Sequence, residues 1–361
     1  MTAHSPRRPG WPVRIAVAAA ALLVGQAAQA QPAGTPAPQH LRIVGGLAGV
    51  NQFTRHEEPF WAHDLKKLSN GRASAEIVPF DRAGIRGQDM LRLMTLGVVP
   101  FGTALLGLSV AEMPIVAAPE LAGLSPDMAT LRRTVSAFRP HLEKTLRERH
   151  GIEVLAIYTY PAQVVYCTKP FNGLAGLAGR RVRVSGPSQS DMVQALGGQP
   201  VPTPFADIMT HMRSGNLDCA ITGTMSGNTI GLHEVTSHLH TMAVTWGLAM
   251  FGANAAAWQA LPADLQALLR RELRTLEQSI WDESDRETGQ GVACNTGQAA
   301  CTAGKRGRMV EVKASPEDER RRQTLLAETV LPRWLQRCGP DCAEVWNRTI
   351  GPVVSIPAKA P

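Results

Sequence analysis

One segment, residues 179–223, constrains this chain more than any other part of it. It reads GRRVRVSGPSQSDMVQALGGQPVPTPFADIMTHMRSGNLDCAITG, an alternation of strand, helix, strand, helix and strand. Strands separated by helices pair in parallel through right-handed crossovers, so the segment calls for an α/β sheet. An arginine, Arg183, ends its first strand. A phenylalanine, Phe205, opens its second helix, and a small polar residue, Thr222, ends its last strand. Open α/β sheets bind ligands in the crevice beyond the carboxyl ends of their strands, where all three positions can meet.

The rest of the chain repeats this grammar. Residues 41–45 read as a strand, 54–69 show helical spacing, 73–80 alternate as a strand, 88–96 form a helix closed by Gly97, and 101–106 form a buried strand. A polar helical stretch, 126–149, precedes strands at 153–160 and 164–168. After the central segment, 228–240 read as helix and turn, and 242–253 as one strand with Trp246 inside it. Pro262 opens a helix running from 263 towards 286, since proline suits a first helical turn. At roughly 1.5 Å per residue it spans about 35 Å, enough to cross two domains. A second tail helix is expected at about 316–337. The expected fold class is therefore α/β, a two-lobed clamp of mainly parallel sheets flanked by helices, with the long helix spanning both lobes. Lobe I comprises 41–161 plus about 247–288. Lobe II comprises 162–246 plus about 289–350 with the helical tail.

The N-terminus carries the marks of export. Arg7, Arg8 and Arg14 form a positive region, 15–24 are apolar, and Ala28-Gln29-Ala30 is a small-residue cleavage site. The apolar run is shorter than the ~20 residues that span a bilayer. The reading is a signal peptide at 1–30, cut after Ala30, then a disordered leader at 31–40 and a periplasmic protein. Removing three arginines and no acids lowers the formal charge from +7 to +4. No basic run interleaves with aromatics, so nucleic-acid binding is not expected. An oxidising compartment also permits disulfides. The simplest pairing closes two local loops, Cys294 with Cys301 and Cys338 with Cys342, although the two pairs could instead bridge to each other. Cys167 and Cys219, in apolar strand contexts, read as buried thiols.

Several fragments succeed one another in a specific order: Leu68-Ser69-Asn70-Gly71-Arg72, the stretch 174–184 with its arginine, Leu196-Gly197-Gly198-Gln199-Pro200, Phe205-Ala206-Asp207, Ser214-Gly215-Asn216-Leu217-Asp218, Glu234-Val235, and 254–262. Over roughly residues 40–290 this succession resembles the solute-binding proteins of tripartite ATP-independent periplasmic (TRAP) transporters, of the DctP type. The cysteine-bearing tail beyond Cys294 departs from the commonest members. The resemblance implies a small organic-acid ligand, a membrane permease as partner, no cofactor and no metal; a monomer is expected. It also implies that Arg183 grips a ligand carboxylate. Guanidinium offers a planar fork that matches a carboxylate with two charge-assisted hydrogen bonds. Phe205 falls where the family lines its pocket, and Thr222 where many members carry a ligand-binding asparagine. Ser226 and Asn228 are nearby polar alternatives, and Trp246 is placed to close the pocket. Gln163 stands where many members have a second arginine, which favours a monocarboxylate over a diacid. Leu105 and Pro100 stand where acids are often found, which tilts lobe I towards an apolar wall. Arg86 is a candidate compensating charge.

Two other classes fit less of the sequence. A periplasmic sensor needs the same clamp, so the residues do not separate it from transport. An enzyme would need a catalytic signature. The cluster His233, His238 and His240 lacks zinc spacing, and Gly223-Thr224-Met225-Ser226-Gly227 is not the nucleophile elbow G-x-S-x-G.

Overall fold

The computed structural model describes residues 38–359. The expected signal peptide and residues 31–37 of the leader lie outside the described residues. The end of the expected leader is not irregular, because strand β1 (Gln39–Gly45) already starts there. Gln39 donates its N–H to the carbonyl of Arg72 at 2.8 Å, a backbone pairing that composition cannot signal.

Two sheets organise the described residues. The first has the order β2-β1-β3-β10-β4, with β2 at Ala73–Pro79, β3 at Phe101–Leu105, β4 at Ile152–Thr159 and β10 at Leu248–Asn254. The second has the order β11-β9-β5-β8-β6-β7. Its strands are β5 (Gln163–Cys167), β6 (Arg181–Val184), β7 (Gln199–Pro202), β8 (Cys219–Gly223), β9 (His238–Thr245) and β11 (Val310–Val312). The βαβ units are parallel as expected: β1 with β2 and β3, and β6 with β7 and β8. Each sheet also takes in one strand that arrives from the other. β5 runs antiparallel to β8 and β9, and β10 antiparallel to β3 and β4. A strand entering at the crossing must run away from it, so both sheets are mixed.

The single strand expected at 242–253 is two strands in different sheets. Trp246 and Gly247 lie between β9 and β10, at the crossing. A continuous apolar run does not disclose where a chain changes sheet.

The helix Ala263–Asn295 is longer than expected, at 33 residues or roughly 50 Å. As far as Ser284 it packs on the first sheet: Trp281 Nε1 donates to the Ile157 carbonyl and Ser284 Oγ to the Thr159 carbonyl. Its last turns pack on the second half. Gly291 lies against the backbone of Thr224 and Met225, where an added Cβ would sit 2.3 Å from the carbonyl carbon of Thr224, so only glycine fits. Asn295 Nδ2 donates to the Thr224 carbonyl and to the Tyr166 hydroxyl. Behind the first sheet, Trp61, Phe251, Phe138 and Leu65 are almost wholly buried. Each large apolar side chain so placed contributes about 1.5–3 kcal/mol.

The tail is helical from Pro316 to Cys338, as expected at its start, and continues in two short helices. It touches both halves: Trp334 Nε1 donates to the Pro114 carbonyl, while Arg337 pairs with Asp191 of the helix Pro187–Ala195 at 2.6 Å. The two local disulfides form, Cys294–Cys301 and Cys338–Cys342. Cys167 and Cys219 are not free thiols. They face each other in register across β5 and β8 and form a third disulfide. Their 52-residue separation concealed a pairing that only strand order creates.

Candidate ligand-binding cleft

A cleft of about 620 Å³ opens where the parallel strands of both sheets end. That volume suits a small-molecule ligand. Leu105 at the end of β3 contributes from the first sheet, and Arg183 and Thr222 near the ends of β6 and β8 from the second. The crossing segments supply Tyr160, Gln163 and Gly247. The carboxyl-end rule that places ligands in α/β sheets thus locates this cavity too.

Arg183 is the main charge on its wall. Alternation on β6 puts Arg181 and Arg183 on one side of the strand, yet their surroundings differ. Arg181, near the sheet edge, is taken by Asp218 through Nη2–Oδ1 at 2.9 Å and Nε–Oδ2 at 3.0 Å. Arg183 is only 4 % exposed. Its Nε donates to the Thr203 carbonyl at 2.9 Å and its Nη1 to the Ile221 carbonyl at 2.7 Å. No carboxylate lies within ion-pair distance of it among the described residues. Burial without a counter-charge pushes its pKa down to about 10. The two carbonyls fix the guanidinium in place and leave its Nη2 edge uncommitted. A buried cation with no anion is costly, and an incoming carboxylate removes that cost.

Of the other residues singled out from sequence, Phe205, Thr222, Gln163, Ser226 and Arg86 line this cleft. Phe205 is half-buried and faces Gly49 of the opposite half, where an added Cβ would lie 3.6 Å from its ring. Thr222 is buried, and no hydrogen bond among the described residues engages its hydroxyl. Gln163 Oε1 accepts from Gln189 Nε2 at 2.7 Å, and Gln189 is itself held by the Ser185 N–H. Arg86 sits on the rim with its charge taken by Asp89 at 2.8 Å.

Asn228 and Trp246 lie outside the lining. Asn228 is spent on structure: its amide donates to Asn295 and the Lys305 carbonyl, and its Oδ1 accepts from the Lys305 N–H. Trp246 points into the core, with Nε1 donating to the Ser125 carbonyl. Sequence spacing placed both near the site, but the helix after β8 and the crossing after β9 turn them away.

The expectation of an apolar lobe I wall is incomplete. Leu105 does line the cleft and Pro100 does not, but Asp81 and Glu120 line it as well. Glu120 Oε2 accepts the Leu248 N–H at 3.2 Å, and the Gly107 N–H also donates to this carboxylate. Burial pushes it up to about 8. An acid isolated in the apolar run Val116-Ala117-Ala118-Pro119-Glu120-Leu121-Ala122 was a visible signal, since an uncompensated acid among apolar residues is seldom there for packing.

Comparison with known proteins agrees with this fold. Residues 49–293 match the family described as bacterial extracellular solute-binding protein, family 7 (DctP). Among solved structures, a Bordetella pertussis extracytoplasmic solute receptor binding pyroglutamic acid is similar at a TM-score of 0.77 with 19% identity, covering 86% of this chain and 99% of that one. A Desulfovibrio salexigens TRAP periplasmic solute-binding protein with bound orotic acid gives 0.75 and 16%, covering 87% and 99%. A Sulfitobacter TRAP protein with bound β-D-galacturonate gives 0.74 and 16%, covering 87% and 100%. With its family match spanning most of its length and its two mixed sheets flanking one cleft, this chain belongs to the DctP family of bacterial extracellular solute-binding proteins.

Proposed function

We propose that this protein captures a small monocarboxylic organic acid in the periplasm and delivers it, unaltered, to a TRAP membrane permease. The observation that carries the reading is Arg183, a buried guanidinium held by two carbonyls with no acidic partner among the described residues. A ligand carboxylate supplies the missing charge in a desolvated setting, where a charge-assisted pair is strongest. Phe205 gives an apolar wall, while Thr222, Ser226 and Gln163 offer hydrogen bonds to the remainder of the ligand. Gln163, bonded to Gln189, brings no second positive charge, which favours one carboxylate over two. The acids named for the similar structures above each carry one carboxylate, in support of this reading.

Lobes spanning 41–161 with about 247–288, and 162–246 with about 289–350, close around the ligand by bending at the crossings near 160–162 and 246–247. Contacts to both walls stabilise the closed state, and the closed population grows with ligand. The signal peptide cut after Ala30 delivers the chain to the compartment where its three disulfides form.

Titration calorimetry of the purified protein against a panel of organic acids, with product analysis, tests the proposal. The expected result is saturable binding of an acid recovered unchanged, weakened more than tenfold in Arg183→Ala. Unchanged affinity in that variant removes Arg183 from the site, and chemical conversion of the acid would replace capture with catalysis.

A further inference from the structure

The cleft holds a second ionisable group that the carboxylate-capture reading does not use. Glu120 sits on the wall opposite Arg183, at the end of the helical segment Pro114–Glu120. Its carboxylate is positioned as firmly as the guanidinium across from it, but by donors instead of acceptors. The backbone N–H groups of Leu248 and Gly107 both point at it. Gly107 lets the oxygen approach so closely that a Cβ there would lie 2.5 Å from Glu120 Oε1. A carboxylate offers about four lone-pair sites, so two remain after these bonds.

No arginine, lysine or histidine forms an ion pair with Glu120 among the described residues. The nearest charges are engaged elsewhere. Arg86 is paired with Asp89, and Arg337, across a small adjoining cavity that Glu120 also lines, is paired with Asp191. Asp81 accepts the Ala48 N–H and is exposed. Burial raises Glu120 to about 8, the behaviour of an acid waiting for a donor or a cation.

The spacing suits a small dipolar ligand. Arg183 on β6 and Gln163 on β5 are separated by β8, two strand spacings or roughly 10 Å. Gln163 in turn lies beside Gly247, and the next residue, Leu248, holds Glu120. The Thr203 and Ile221 carbonyls hold the guanidinium at the end of β6, which leaves that span open for a small ligand.

Building on the capture reading, we propose that Glu120 is a specificity-determining residue that selects organic acids carrying an ammonium or N–H nitrogen besides the carboxylate. Arg183 takes the carboxylate and Glu120 the nitrogen, so the preferred ligand class is an amino or imino acid. A nitrogen-free acid leaves the Glu120 lone pairs without a donor.

The test is titration calorimetry of the full mature chain with matched pairs: L-amino acids, L-proline included, against carboxylic acids of the same skeleton without nitrogen. The wild type is expected to prefer the nitrogen-bearing member of the best pair by roughly tenfold to hundredfold. Glu120→Gln is expected to reduce that ratio to a few-fold while still binding the nitrogen-free acid. Glu120→Met, of similar volume, serves if the glutamine variant does not fold. Equal affinity for both members in the wild type, or a preference that survives in both variants, overturns the inference while Arg183-dependent binding leaves the capture reading standing. Binding of neither member, or binding indifferent to Arg183→Ala, overturns both.

Discussion

Arg183, on a strand of the second sheet, and Glu120, at the end of a helical segment beside the first, line one cleft, and the comparison between them is instructive. Each is buried, and each is oriented by two backbone groups: carbonyls for the guanidinium, N–H groups for the carboxylate. Neither has a charged partner among the described residues. Backbone groups fix direction without supplying a counter-ion, so both groups stay aimed: the guanidinium keeps its charge, and the carboxyl, raised to about 8, keeps its proton near neutral pH. Arg181, two residues from Arg183, shows the other outcome. Asp218 satisfies it, the pairing lowers that carboxyl to about 2, and Arg181 lies outside the cleft lining. The position of a partner, more than the residue type, separates a structural arginine from a ligand-seeking one. The sheets behind the two walls differ as well. The second is cross-linked between β5 and β8 by Cys167–Cys219, whereas the first contains no disulfide.

The largest way to break the symmetry is on the cationic side. Arg183→Ala should weaken acid binding by about 2–5 kcal/mol, read by calorimetry. Arg181→Ala should leave affinity within about threefold, since an exposed pair contributes little. Equal losses in both variants would erase the distinction drawn between the two arginines.

The cross-link comes next. Replacing Cys167 and Cys219 together with serine should lower stability by about 2–4 kcal/mol in chemical denaturation. The same double change at Cys338 and Cys342, which are four residues apart, should cost less because the loop it closes is short. A reversed order would show that the tail, more than the second sheet, limits stability.

On the anionic side, the effect lies in pH dependence. Burial raises Glu120 from the usual 4.5 to about 8, so the folded protein retains a proton that the unfolded chain releases. Its contribution to stability is full below about pH 4.5 and is lost as pH rises towards 8. Glu120→Gln should flatten that decline by a fraction of the about 1.4 kcal/mol per pH unit that one proton provides. Thermal melts of both proteins between pH 5 and 8 would show parallel curves if the group were ordinary.

The smallest expected change sits between the walls. Gln163→Arg places a second cation in the cleft lining and should move thermal-shift rankings towards diacids by a few-fold. An unchanged ranking would mean that residue 163 does not reach the ligand.

Much of this architecture was readable from residue order. The alternation at 179–223 specified parallel strands, their carboxyl ends specified the cleft, and period-two spacing put Arg183 at its edge. The helix-start proline located the long helix to within a residue at one end. The local cysteine pairs were readable for the same reason, that their partners are near in sequence. Asn228 and Trp246 marked the limit of such reasoning. Both lie a few residues from the site along the chain, yet a short helix and a sheet crossing point them elsewhere.

Local pattern, then, determined the elements, their sense and the cation that ends β6, because hydrophobic periodicity and turn chemistry act over a few residues. Tertiary structure alone decided which distant residues face each other: Cys167 with Cys219, Glu120 with the Leu248 and Gly107 amides, and the sheet change at Trp246. Those outcomes depend on strand order and on where the chain crosses between sheets. Burial and electrostatics then follow from that arrangement, so the unpaired cation on one wall and the raised acid on the other are properties of the folded whole.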